Sequence, residues 1–234
     1  MPYRRLPNTD QARIRALKTV ISRAEMNSQE KVVSLRVLTE ASNFLVRFEA
    51  AQTYYRQCFE NQIKSSRKCQ QALRKARIYI SHFIQVLNLS IIRSEIKTEQ
   101  KALYGLPEEN FNVPDLLSDS AVLEWGERII RGEKERLKKG GIPIYNPTIA
   151  KVSVHYDLFK EAQQKQKEFQ KITERSLNAL SSMRGQADCI ILDIWDQIES
   201  FFNKLPQADK MEKTKEYGVV YYYRSSEKAK ILLK

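Results

Sequence analysis

Glycine and proline are scarce, seven of each in 234 residues, and they cluster so that long stretches carry no helix breaker. A β-sandwich or barrel needs a turn signal about every 8–12 residues, so this spacing excludes an all-β fold and suits long helices. Cysteine is scarcer still. Cys58, Cys69 and Cys189 form no metal or redox spacing, and an odd number with no secretory signal reads as reduced, buried thiols. No apolar run approaches the eighteen or so residues of a membrane span. The most apolar stretch, residues 78–92, is interrupted by Ser81, His82, Gln85, Asn88 and Ser90. The first ten residues, MPYRRLPNTD, lead into no apolar segment, so no signal peptide is expected. A cytoplasmic chain that does not enter a membrane follows.

Residues that carry chemistry are also few. His82 and His155 are the only histidines, and neither has Glu three positions before it, as helical di-metal sites require. The chain has no phosphate-binding GxxxxGK[ST], no GxGxxG and no GxSxG. No catalytic residue, metal ligand or cofactor is therefore assigned, and the balance is against an enzyme.

What is present is helical periodicity. Asn8 and Gln11 form a capping-box pair that opens a first helix carrying Ile14, Leu17 and Ile21 and running to Asn27. Residues 27–39 read either as a helix capped by Ser28 or, because VVSLRVL is rich in β-branched residues, as an extended segment. From 39 to 104 there is neither Gly nor Pro. Ala41, Phe44, Phe48, Ala51, Tyr55, Cys58, Gln62, Ser65, Cys69, Ala72, Ala76, Ile80, Phe83, Leu87 and Ile91 recur in steps of three and four, the seam of one long packed helix. Gly105 and Pro107 are expected to end it. A loop then leads to a helix capped by Ser118 or Ser120, with Val122, Trp125, Ile129 and Leu137 buried and a stop at Gly140–Gly141. Asn146 and Pro147 are expected to open a second long helix reaching about residue 205. Its seam runs from Ile149, Val152, Tyr156 and Phe159 to Ile190, Ile194, Ile198 and Phe201, and passes through Gly185 without slipping.

The tail differs. EYGVVYYYR reads as a strand, with KAKILLK returning as a second strand. A two-stranded hairpin is marginal alone, so it must lean on the bundle, pair with IPIY or pair with another subunit. The fold expected is all-α: an elongated four-helix-type bundle over residues 1–205, with two long antiparallel helices and two shorter ones. Residues 206–234 form a tail with a short β-hairpin or strand, not an independent domain.

Charge is the strongest functional signal. The net charge is +12, and residues 1–103 hold 19 Lys and Arg against 8 Asp and Glu. No carboxylate occurs between Glu60 and Glu95, where Lys64, Arg67, Lys68, Arg74, Lys75, Arg77 and Arg93 fall. All but the last two, with Gln71, follow one helical face. Such a stripe can track phosphates, giving salt-dependent binding that ignores base sequence; it lacks the interleaved aromatics that stack on bases. Arg4, Arg5, Arg13, Arg15, Lys18 and Arg23 add to it. The competing reading is internal, with Asp188, Asp193, Asp196 and Glu199 neutralising the stripe. A second cluster, Ser81, His82, Gln85 and Asn88, reads as a polar ligand or partner surface or as helix–helix hydrogen bonding.

Taken together, MPYRRLPNTD, YISHFIQVLN, NPTIA and EYGVVYYYR resemble a family of Bacteroidetes helical proteins with no assigned activity. The resemblance spans most of the chain. It implies a bacterial cytoplasmic helical protein and carries no catalytic residue across. On this reading the chain is a non-enzymatic structural or interaction bundle whose partner is another protein or a second copy of itself. Nucleic-acid binding through residues 64–77 and the basic N-terminus is the alternative.

Overall fold

The structure, a computed structural model, describes residues 3–27 and 30–223. Thr9, one residue beyond the expected Asn8, caps α1 (Asp10–Met26): its hydroxyl accepts the Ala12 N–H at 3.2 Å. Residues 31–34 are irregular and α2 (Leu35–Ile92) takes over within VVSLRVL, so that segment is split between loop and helix. Ser28, the expected cap, lies outside the described residues.

α2 runs unbroken for 58 residues. All of its expected seam positions are buried or half-buried, as a helix with one continuous apolar stripe requires. It ends about twelve residues before the expected stop. Ser94 adopts a left-handed φ of 64°, its N–H donates to the Ile91 carbonyl, and the Glu95 N–H donates to Ser90. This pair of bonds closes a helix end usually marked by glycine. A serine gives no such mark in the sequence. Gly105, with φ 69°, ends instead a short 3₁₀ helix, Thr98–Tyr104.

Ser118 caps α3 (Asp119–Lys138) by accepting the Ala121 N–H at 3.1 Å. Its buried face holds Val122, Gly126, Ile129, Glu133 and Arg136; Trp125 and Leu137, expected on that face, are half-buried. α4 (Ile149–Ser182) opens two residues after the expected Pro147. Thr148 supplies the first carbonyl, to Val152, and its hydroxyl accepts the Lys151 N–H at 3.4 Å. The Asn146–Pro147 peptide is cis.

The second seam keeps its phase but not its continuity. Met183 separates α4 from α5 (Arg184–Phe201), closing a tight turn onto Leu180 while keeping right-handed helical angles. Gly185 therefore lies in the first turn of α5 rather than inside one helix. At the far end Phe202 is buried and the expected Phe201 is exposed. The polar stretch after Pro206 forms α6 (Gln207–Glu216). β2 (Tyr221–Tyr222) then pairs antiparallel with β1 (Tyr3–Arg4), Tyr3 opposite Tyr222. The expected strand thus finds its partner at the N-terminus. IPIY contributes only an isolated bridge, Tyr145 to Thr148, and KAKILLK lies outside the described residues.

The described residues group into two units, each with its own core. Residues 1–58 and 173–234 make one. Its core joins Leu17 of α1 and Phe44 and Phe48 of α2 to Ile191, Ile194 and Trp195 of α5 and to Tyr217 and Val219. Residues 59–172 make the other, where Ile80, Phe83, Ile84 and Leu87 of α2 pack with Tyr104, Val122, Ile129, Val152 and Phe159. Burial of each such side chain contributes about 1.5–3 kcal/mol. A single bundle over 1–205 was expected because the seam spacing never lapses. The side chains on it do: between Phe48 and Ala76 only Cys58, Ser65 and Cys69 are buried on α2, too small to continue one core. No described helix is long and apolar enough to cross a membrane.

Candidate polyanion-binding face

Within residues 59–172, small seam residues Ser65, Cys69, Ala72 and Ala76 bring α2 against α4, with Ala162 packed on the same core. The long cationic side chains flanking that seam are consequently held at the surface. Lys64, Arg67, Lys68, Arg74 and Lys75 are all exposed, and none has a carboxylate within ion-pairing distance among the described residues. Between the helices lies a groove of about 350 Å³, rimmed by Lys68, Gln71 and Lys75 on one side and His155, Glu161 and Lys165 on the other. Glu161 and Lys165 pair at 2.6 Å; that contact lowers the carboxyl pKa and raises the ammonium pKa. His155 stacks on Tyr79, ring centres 4.1 Å apart.

The acidic residues expected to neutralise this stripe are engaged elsewhere. Asp188 takes a bidentate bond from Arg13, at 2.7 and 2.9 Å. Asp196 takes Arg4 at 2.6 Å, with Glu199 3.7 Å from the same guanidinium, and Asp193 accepts from Gln197. The same pairing removes much of the basic N-terminus from the candidate surface. Lys18 pairs with Glu49, Arg23 with Glu216, and Arg5 lies over the Tyr222 ring at 4.8 Å. Arg77 also leaves the stripe: it is half-buried and donates to the Leu117 carbonyl at 2.7 Å.

The polar cluster does not converge. Asn88 is buried and its amide donates to the Phe111 carbonyl at 2.8 Å; Ser81 is half-buried, and His82 and Gln85 are exposed. Asn88 is better described as a loop anchor, together with Lys101. That ammonium is fully buried, donates to the Glu108 and Asn110 carbonyls at 3.0 and 2.8 Å, and sits 3.8 Å from the Phe111 ring centre. Burial pushes its pKa down.

Sequence reasoning missed a second enclosed polar group in this unit. Glu133 and Arg136, both buried, form a bidentate pair at 2.8 and 2.9 Å, and the Tyr104 hydroxyl donates to the same carboxylate. Arg136 also donates to the Ile142 carbonyl. The signal lies in the spacing: Val122, Ile129, Glu133 and Arg136 keep helical periodicity, so the buried face continues through charged residues and Leu137 falls beside it. Of the thiols, Cys58 and Cys69 are buried as expected and Cys189 is exposed. Among the described residues no cluster of His, Cys, Asp or Glu is arranged to hold a metal ion.

No protein-family model, curated protein or solved structure matches this chain.

Proposed function

We infer that this chain is a non-enzymatic binding protein whose α2 face, Lys64, Arg67, Lys68, Arg74 and Lys75, holds nucleic acid by its phosphates. The observation that carries this reading is that the stripe has no carboxylate partner among the described residues, while acidic residues that would have quenched it bind Arg4 and Arg13. Lys and Arg side chains without a partner keep their full charge for a polyanion. From Lys64 to Lys75 the helix rises about 16 Å, enough for a few successive phosphates. No exposed aromatic lies among the five cations, so base stacking adds nothing and the binding is indifferent to sequence. On the sequence alone a protein partner or second copy ranks first; a stripe with no ion-pair partner among the described residues reverses that order. A cytoplasmic setting, where nucleic acid is accessible and free thiols stay reduced, accords with it.

The test is fluorescence anisotropy with duplex DNA of two unrelated sequences across a salt series. Equal affinities are expected, with log K falling against log salt at a slope of about −3 to −5, close to one unit per phosphate neutralised. Replacing Arg67, Arg74 and Lys75 together by Glu should abolish binding at moderate salt. Retained affinity in that variant would remove the face from consideration.

A further inference from the structure

A second groove, of about 450 Å³, lies within the unit formed by residues 1–58 and 173–234. None of its residues belongs to the α2 stripe. α1 offers it a narrow wall of Ala12 and Ala16, with Arg15 beside them. The segment entering β2 supplies Gly218, β2 supplies Tyr222, the N-terminal segment supplies Arg5, and Trp195 of α5 lines it from the core side.

Three observations there point one way. The Trp195 side chain is fully buried, yet its indole N–H has no acceptor among the described residues, although a buried donor is nearly always satisfied in a folded protein. Arg15 is exposed, with neither a carboxylate nor a hydrogen-bond acceptor among the described residues, in contrast to Arg4, Arg13 and Arg23 around it. Arg5 is held by its cation–π contact with Tyr222, which orients a guanidinium without neutralising it. No acidic residue lines the groove. The site therefore offers two guanidinium groups and, among the described residues, no carboxylate to neutralise them, which is the complement of an anion.

The shape narrows the class. At Gly218, φ 85°, a Cβ would lie 3.3 Å from Thr19, so the chain passes close to α1 and leaves a slot rather than a bowl. With alanines on one wall and an indole behind, the slot suits a flat apolar body. A guanidinium meets a planar carboxylate through two parallel bonds. The geometry points to a binding site for a small aromatic carboxylate, its ring along Ala12 and Ala16 with the buried Trp195 beneath, its carboxylate on the Arg15 and Arg5 guanidinium groups.

The experiment is a titration of the full ¹⁵N-labelled chain, following the two indole N–H resonances, with Trp195 assigned through the Trp125→Phe variant. The probes are benzoate and 1-naphthoate, and 1-naphthalenemethanol as the uncharged control. A saturable shift of the Trp195 resonance is expected with a carboxylate, at least tenfold weaker with the alcohol. Arg15→Glu, at an exposed side chain with no partner to lose among the described residues, should keep the Trp195 resonance in place without ligand and abolish its response. The inference is overturned if neither carboxylate moves the resonance, if the alcohol moves it equally, or if folded Arg15→Glu responds like the parent chain.

Discussion

Two tyrosines give this protein a measurable limit at high pH. Burial, and then the hydrogen bond to Glu199 at 2.5 Å, pushes Tyr221 up to about 12. Tyr104 is driven well above the ordinary phenol range, first by burial and then by its bond to Glu133. In both cases the folded pKa exceeds the unfolded value near 10, so above that pH the native state keeps a proton that the unfolded chain releases. The stability they contribute is whole below about pH 10 and is lost as pH rises through the folded values. Denaturant midpoints should therefore fall from about pH 10 to pH 12, and in Tyr221→Phe, which removes one such group, the fall should be shallower. Lys101, lowered by burial, acts in the opposite sense and makes the decline gentler, not steeper. None of this was readable from the sequence, because Tyr104 and Lys101 owe their burial to the turn at Ser94, which carries no glycine to announce it.

The same substitution has opposite signs at different helical glycines. At Gly126 a Cβ would fall 2.3 Å from the Tyr156 ring, and at Gly132 it would fall 2.6 Å from Tyr104 and 2.8 Å from the Leu103 carbonyl. Alanine gains about 1 kcal/mol of helix propensity, but overpacking of this kind typically costs about 1–3 kcal/mol and more where backbone must move. At Gly185 nothing lies within 4 Å. Thermal unfolding should accordingly show Gly126→Ala and Gly132→Ala less stable than the parent and Gly185→Ala more stable by up to about 1 kcal/mol; a Gly132→Ala chain as stable as its parent would show that α3 does not pack as described. The hydrophobic ladders of α2 and α4 were legible because periodicity of three and four is a property of the chain itself. Helix ends were less legible. Thr9, Ser94 and Thr148 compete with neighbours of similar capping power, and only the final backbone path decides among them.

At the scale of the whole molecule the question is whether net charge or its placement governs binding. A charge of +12 attracts any polyanion to some degree. Lys134, Lys138 and Lys139 are also exposed, on or just beyond α3, and replacing them by Glu alters the net charge as much as replacing Arg67, Arg74 and Lys75. If the α2 face is the site, only the latter variant should lose the rise in melting temperature that a saturating DNA duplex gives the parent chain, since a ligand stabilises only through the native state it binds. Equal loss in both variants would assign the effect to charge alone.

Composition and spacing by themselves determined that this chain is helical, that α2 and α4 each present one apolar stripe, and that cations collect on one stretch of α2. Those properties depend on residues near one another along the chain. Which of those cations lack a partner among the described residues was decided only in three dimensions, where Asp188 and Asp196 meet Arg13 and Arg4 across more than 170 positions of sequence. Spacing cannot report a Coulombic partner of that kind, because attraction acts on distance in space and only the folded core sets that distance.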